Sequence, residues 1–550
     1  MIVKSEENIR IPNVPIHQLS LESFLETARK SPNRKALIDA TTGEGPTFSE
    51  LHRASYCFSA FLKTIDFAER DVCAFVLRNC WEFYPLFFGT LLRGGAMTPV
   101  SPSFMEDEIA KQLIDSNSKV VVCEAISLPR VIAALDVCKT VKKIIIVGSY
   151  YGIRANNLVM FKDILKLTPD FYERQKRPNM DKDICYLPYS SGTTGPPKGV
   201  MHCHKAVLTM TEVFRHYIVN QSLPKIQRFW NFDNEYFPGI LPFYHNFGFI
   251  STLSTIIAGG TVVYIKKFEP EGFFELLQNY KVKFSFVVPP VLVLMSKTPL
   301  LDKYDLSSLR FLVSGAAPLS GDVILTVKKR LPNIGDVAQG FGMTELACAA
   351  FVPQFGEGSP KSSGKLLPNL EAKIVDPETG KLLGRNTVGE LCVRGPTQLI
   401  GYLGRPEATK DIFDSQGFVK TGDIAYFDEQ NFLYVVDRRK ELIKVKGLQV
   451  APAELEALLL TCKLVKDAAV IGVPDDRQGE VPKAYVVRFS PSTTENDIKE
   501  FVKSRVAKYK QLTGGVEFID EIPKSPSGKI LRRELRDLES KKKTNSLAKL

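Results

Sequence analysis

The sequence predicts an α/β fold in two bodies of unequal size: a large N-terminal domain of layered α/β subdomains plus a β-rich subdomain, and a small mobile α+β domain following it. Three observations lead there. A chain of 550 residues exceeds what one ordinary hydrophobic core organises, so two or more domains are expected. Over residues 20–180 helical patterns alternate with short apolar runs, the texture of parallel strands joined by helices. A charged knot, Asp437-Arg438-Arg439-Lys440-Glu441, then separates a strand-and-turn segment from a compact remainder of about domain size.

Strands are predicted over 72–77, 120–123, 144–147, 284–288 and 309–313, each short and apolar. The uncharged stretch 247–265 is long enough to raise the question of a membrane span. Gly259-Gly260 breaks it, and Ser251, Thr252, Ser254, Thr255 and Thr261 punctuate it, so a buried helix, a turn and a strand over 261–265 fit better. Short strands over 372–375, 389–394 and 432–436 mark the β-rich subdomain at about 365–437. The N-terminal domain is placed at 1–437, the hinge at 438–440 and the mobile domain at 438–540. That domain is given helices over 452–460 and 495–510 and strands over 468–472 and 483–488. A basic tail, 541–550, ends in Ala548-Lys549-Leu550.

The apolar share of 44% beside 24% charged residues fits a soluble globular enzyme and excludes a disordered chain. The net charge of +11 is spread along the chain rather than clustered, which suits anionic small molecules and argues against nucleic acid. Ten cysteines lie without any C-x-x-C spacing, and Cys203 between His202 and His204 reads as core or surface rather than a metal site. Reduced thiols in an intracellular compartment follow. The first residues carry charge too early for a secretory signal, and no transmembrane segment is expected. The C-terminal Ala-Lys-Leu has the small-basic-Leu form of a peroxisomal address, so a peroxisomal import receptor is an expected partner, with the cytoplasm as the alternative.

The most informative stretch is Ser190-Ser191-Gly192-Thr193-Thr194-Gly195-Pro196-Pro197-Lys198-Gly199-Val200. Glycines admit backbone N–H groups close to an anion, hydroxyls add donors and Lys198 adds a point charge, which together make a polyphosphate cradle. It is not a Walker A loop, because Lys198 is followed by Gly199. Ser314-Gly315-Ala316-Ala317 follows a strand and lets a flat ligand approach the backbone. Gln339-Gly340-Phe341-Gly342-Met343-Thr344-Glu345 is a second Gly-rich turn, ending in a hydroxyl and a carboxylate. Thr421-Gly422-Asp423 offers a carboxylate suited to ribose hydroxyls, and Lys529 sits on a loop stiffened by Pro523 and Pro526. Each alone reads as an ordinary turn or solvated loop; their joint occurrence does not.

Together and in this order, these segments resemble the adenylate-forming superfamily of acyl-CoA synthetases, peptide-synthetase adenylation domains and beetle luciferases. The likeness is nearest the 4-coumarate–CoA ligase and luciferase branch and covers about residues 20–540. The resemblance implies an ATP-dependent carboxylic acid–CoA ligase that forms an acyl-adenylate and then a thioester, using ATP, Mg²⁺ and coenzyme A. It implies that Ser190, Ser191, Gly192, Thr193, Thr194 and Lys198 meet the ATP phosphates, and that Ala316, Gln339, Gly340 and Thr344 surround the nucleotide. Glu345 is then the Mg²⁺ contact, Asp423 and Arg438 hold the ribose, His245 lies beside the substrate carboxylate, and Lys529 bridges carboxylate and α-phosphate. Lys440 matches the hinge, Lys444 and Gln449 match adenylate contacts, and Lys446, Gly447 and Lys267 match the CoA route. Catalysis of this kind is mostly positioning and charge neutralisation.

Two departures bear on the substrate. Val313 stands where plant coumarate ligases carry Lys, and 346–350 is small and apolar where luciferases carry hydroxyls. With Phe247, Phe341 and Met343, this suits a fatty or aryl-alkyl acid. Luciferase-like adenylation followed by oxygenation shares every motif and stays an alternative. A non-catalytic nucleotide-binding scaffold is a third reading, opposed by the retained charges Lys198, Glu345, Asp423, Arg438 and Lys529.

Overall fold

The computed structural model describes residues 1–547 except 153–156, 173–176, 191–196, 358, 447, 476 and 526–527, with side chains to 542. The terminal Ala548-Lys549-Leu550 lies outside the described residues. The largest sheet runs, edge to edge, Gly401–Tyr402, Lys198–Cys203, Ile184–Tyr186, Ala96–Val100, Val72–Val76, Ser118–Glu124, Lys143–Val147 and Leu158–Met160. From Ile184–Tyr186 to Leu158–Met160 the strands are parallel. Val72–Val76 is buried at every position, as expected of a parallel strand packed on both faces. One face meets the main core, through helices such as Phe48–Thr64 and Phe83–Leu92; the other meets a smaller cluster that includes Ile109, Leu113 and Val131. Thr47 and Glu50 close the start of Phe48–Thr64 as a capping box, with each side chain accepting from the other residue's backbone N–H.

Two three-stranded parallel sheets complete the layered part: Leu37–Asp39 with Thr261–Tyr264 and Tyr236–Gly239, and Phe284–Val287 with Phe311–Ser314 and Asp336–Gln339. The stretch 247–265 is the helix Asn246–Ile257, a Gly259-Gly260 turn and the strand Thr261–Tyr264. Among the described residues no helix is long and apolar enough to cross a membrane.

The β-rich part is a five-stranded antiparallel sheet in the order Ile2–Lys4, Glu371–Val375, Gly389–Arg394, Val419–Phe427, Leu433–Arg438. The first strand comes from the chain's start, with Val3 opposite Ala372. Beyond it, Ile443–Val445 and Leu448–Val450 form a hairpin beside the long antiparallel pair Val465–Asp475 and Gly479–Arg488, with Val516–Phe518 added in parallel. This sheet has its own two cores, one including Leu455, Leu459, Ile498 and Val502, the other Ile471, Tyr485, Ile522 and Leu535.

The helix expected over 495–510 is shorter. It spans Glu495–Lys503, and a separate 3₁₀ turn covers Lys508–Lys510. Leu512 and Val516 enter the same core as Val502, so the chain has to turn back to the sheet where a longer helix would carry it away. The strands expected over 468–472 and 483–488 extend to Val465–Asp475 and Gly479–Arg488, taking in Pro474 and Pro482.

All ten cysteines are buried and free. Among the described residues, two hydrogen bonds illustrate how the C-terminal sheet is tied to the rest. Lys297 Nζ donates to Val465 O at 3.0 Å, and Asp437 Oδ2 accepts from Ala453 N at 3.0 Å. At the last residue of the knot, Glu441 Oε2 accepts from buried Arg532 at 2.6 Å, and Arg532 also donates to both Glu456 oxygens at 2.8 and 2.6 Å. Removing one partner of a buried ion pair leaves charge uncompensated. Arg532→Met is therefore expected to destabilise the C-terminal sheet by about 3–5 kcal/mol. Urea unfolding would read this, and Arg532→Met with Glu456→Met should recover part of the loss.

Candidate active site

The segment between Ser190 and Lys198 joins two antiparallel strands, with Ser190 directly opposite Lys198 in the ladder. Ser191, Gly192, Thr193 and Thr194 lie outside the described residues. Lys198 Nζ stands 5.0 Å above the Tyr402 ring, and the Tyr402 hydroxyl donates to Glu345 Oε1 at 2.8 Å. A cation and a buried carboxylate thus share one tyrosine.

The parallel sheet of Phe284–Val287, Phe311–Ser314 and Asp336–Gln339 delivers two Gly-containing loops side by side at the carboxyl ends of its strands, the usual location for a ligand in such sheets. Ser314 pairs with Gln339, and Gly340 N donates to Ser314 O at 2.7 Å. A Cβ at Gly340 would lie 2.9 Å from Phe351 O, so the close approach requires glycine there. Gln339 Nε2 is used on Pro360 O at 3.0 Å, and Ala316 takes a left-handed φ of +73°. The Phe247 ring covers Gly315 and meets Phe286 edge-on, with centroids 5.5 Å apart. Thr344–Leu346 form a single 3₁₀ turn, with Glu345 buried.

Asp423 and Arg438 face each other across two strands of the β-rich sheet, Arg438 Nε 3.2 Å from Asp423 Oδ1. Asp423 is 4% exposed, and its second oxygen, Oδ2, is buried without a partner among the described residues. Burial, opposed by Arg438, raises its carboxyl to about 6. A buried acceptor with nothing to accept from fits a ligand hydroxyl pair.

His245 caps the helix Asn246–Ile257, its Nδ1 accepting from Phe247 N at 3.3 Å, so the proton of the neutral ring sits on Nε2. Burial first, and then the Lys529 charge, lower its pKa to about 4. Lys529 comes from the C-terminal body on a tight hairpin: Ser525 N donates to Lys529 O at 2.8 Å and Lys529 N to Ser525 Oγ at 3.1 Å. Gly528, at φ +80°, lies against Pro290, where a Cβ would come within 2.7 Å. Burial first, and then Arg438, lower the Lys529 ammonium to about 8, against support from Glu441, Asp423 and Glu345. His245, Glu345, Asp423, Arg438 and Lys529 therefore share one electrostatic environment.

The remaining expected residues stand apart. Lys444, Lys446 and Gln449 are exposed on the Ile443–Val445/Leu448–Val450 hairpin, Lys444 opposite Gln449. Gly447 lies outside the described residues, Lys440 sits in the turn after Arg438, and exposed Lys267 pairs with Glu269. Sequence reading missed Tyr402, Asn246 and His202. Asn246 directly follows His245, and from its sequence neighbours His202 reads as core or surface rather than metal. His202 is fully buried, and among the described residues no cluster of three metal-capable side chains exists.

Residues 24–403 match the family described as AMP-binding enzyme, and residues 454–529 match the AMP-binding enzyme C-terminal domain. The chain is 38% identical over 543 residues to probable 4-coumarate–CoA ligase 1 of Dictyostelium discoideum, covering 96% of each. It is also 38% identical over 537 residues to 4-coumarate–CoA ligase 1 of Petroselinum crispum, covering 96% of this chain and 95% of that one. Among solved structures, ATP-bound MatB from Rhodopseudomonas palustris matches with a TM-score of 0.81 at 25% identity, over 94% of this chain and 99% of that one. The chain belongs to the AMP-binding, adenylate-forming enzymes. Within them it is an AMP-forming enzyme of the acid–CoA ligase type, a class that works with ATP, Mg²⁺ and coenzyme A.

The lowered Lys529 pKa has a chemical sign. Burial favours the neutral amine, so more of it is nucleophilic at a given pH than for an exposed lysine of pKa about 10.4. At pH 8 an amine-acylating reagent should label Lys529 faster than exposed Lys444 or Lys446, and Mg·ATP should suppress that labelling. Peptide mass spectrometry reads both; equal labelling of all three lysines would contradict the environment described.

Proposed function

We propose that this enzyme activates an acid with an apolar tail, aliphatic or aryl-alkyl, and joins it to coenzyme A. The observation that carries this is the apolar surround beside His245. Phe247 lies over Gly315 and against Phe286, and buried Val313 directly precedes Ser314 on the strand Phe311–Ser314. The relatives named for 4-coumarate carry an aryl acid in their names, and the Mycobacterium tuberculosis fatty acyl CoA synthetase, which this chain resembles with a TM-score of 0.70 at 26% identity, carries an aliphatic one. Both are acids with apolar tails.

In this reading an acid oxygen attacks the α-phosphorus of ATP and pyrophosphate leaves. Two anions must meet, so charge neutralisation dominates. Neutral His245 donates from Nε2 to the carboxylate without adding a competing charge. The Lys529 ammonium lies between carboxylate and phosphate, where both anions add to the support that Glu441, Asp423 and Glu345 give it against burial. Asp423 Oδ2 takes the ribose hydroxyls, Ser190 and Lys198 face the phosphates, and Gln339, Gly340, Thr344 and Ala316 border the nucleotide. Mg²⁺ bound with ATP would neutralise phosphate charge, and Glu345 is the carboxylate that would meet it. Thioester formation then needs Lys529 to withdraw. A swing about 438–440 would turn the exposed Lys444, Lys446 and Gln449 face inward towards the adenylate and the CoA arm.

AMP and pyrophosphate release with Mg·ATP, across short-to-long aliphatic and cinnamic-type acids with and without CoA, tests this. CoA-dependent AMP release with thioester product is expected for apolar tails and not for dicarboxylates. Pyrophosphate release that CoA does not advance would instead point to another acceptor, such as oxygen. Lys529→Ala should lower adenylation by about 10²–10³-fold while ATP still binds; unchanged adenylation would remove Lys529 from the reaction.

A further inference from the structure

We propose that Asn246 and His202 are positioning residues that clamp the turn from Thr344 to Ala347 and thereby aim Glu345; the inference rests on the reading above that Glu345 serves Mg·ATP. The turn needs such a clamp. It is one 3₁₀ turn, whose own bonds are Leu346 N to Met343 O and Ala347 N to Thr344 O, each 3.1 Å. Ala347 closes it at φ +64°, a left-handed conformation that residues with a Cβ avoid. The turn holds a carboxylate only 7% exposed.

The clamp comes from three other elements. Asn246 Nδ2 donates to both ends of the turn, to Thr344 O at 3.4 Å and to Ala347 O at 2.9 Å. Its Oδ1 accepts from the Tyr186 hydroxyl at 2.9 Å. Only this orientation of the amide satisfies the set, since the flipped one would set its oxygen against two carbonyls. His202 Nε2 lies 2.8 Å from Thr344 O and must donate there, because a carbonyl only accepts; its Nδ1 has no partner among the described residues. Tyr186 and His202 are fully buried and Asn246 is 5% exposed, so water cannot substitute for these bonds. With the backbone fixed in this way, Tyr402 on Oε1 and Leu399 N on the Glu345 carbonyl, each at 2.8 Å, orient the acidic residue itself. Asn246 also follows His245 at the same helix start, so one segment sets the geometry on both the acid side and the metal side.

The test uses the full chain with Asn246→Asp, which keeps the shape but replaces the donor by an acceptor, together with Asn246→Ala and His202→Leu. Hydrogen exchange of residues 343–350, read by mass spectrometry on ligand-free protein, should quicken about tenfold in each variant while distant peptides stay unchanged. The free Mg²⁺ needed for half-maximal acid-dependent ATP–pyrophosphate exchange should rise about 10- to 100-fold, with Asn246→Asp at least as impaired as Asn246→Ala. Turn exchange and Mg²⁺ requirement both within twofold of the parent in Asn246→Asp would overturn the proposal. So would a looser turn with an unmoved Mg²⁺ requirement, or a fall in rate that leaves that requirement unchanged. Should Asn246→Asp fail to fold, His202→Leu carries the same comparison. A parent protein that shows no ATP–pyrophosphate exchange with any acid would refute the functional reading instead, while hydrogen exchange would still judge the clamp.

Discussion

One ammonium group organises this molecule. Lys529 is carried by the smaller body, yet its charge is coupled to those of Glu345, Asp423 and Arg438 and bears on His245, and its partial burial works against that charge. A cation held where it is disfavoured stays only while the geometry around it is enforced. The enforcement is visible in the Ser525–Lys529 hairpin, in Gly528 packed on Pro290 and in the Lys297 bond to Val465. On the function proposed above, an arriving pair of anions would add to the groups that favour this charge, and the low polarity that opposes it alone would strengthen its attraction to them.

Around that group the two bodies divide the work according to their architecture. Parallel strands end together, and their carboxyl ends place Ser314-Gly315-Ala316 beside Gln339-Gly340 without any long loop. The antiparallel sheet does something different: its cross-strand register sets Asp423 directly opposite Arg438, an acid and a base on one rung. At the end of the knot, Arg532 ties Glu441 to Glu456, so the smaller body is braced from its first residues onward.

Much of this was legible in the sequence because its physics is local. Parallel strands buried on both faces read as unbroken apolar runs such as 72–76 and 144–147, and Gly-Gly at 259–260 marks its own turn. The loops proposed to meet phosphate and ribose, and the one that carries Lys529, are legible because glycine, hydroxyl and charge lie close together in the chain there. What escaped depends on distant partners. Nothing near Ile2–Lys4 announces that it pairs with Glu371–Val375, and nothing after Lys503 announces that Leu512 must return to the sheet. His202, Asn246 and Tyr402 escaped for a related reason. Two of them bond backbone carbonyls, which carry no residue identity, and Tyr402 meets a glutamate 57 positions away.

The burial of all ten cysteines has a meaning beyond packing. A protein that receives coenzyme A works beside a free thiol, and beside its oxidised disulfide whenever conditions turn oxidising. Thiol–disulfide exchange needs an accessible protein thiolate, and burial raises the thiols of Cys73, Cys80, Cys123, Cys185 and Cys348 far from that state. The chain offers its cosubstrate no sulfur partner of its own, so the cosubstrate's thiol is kept for the acyl group and the protein is shielded from becoming a mixed disulfide.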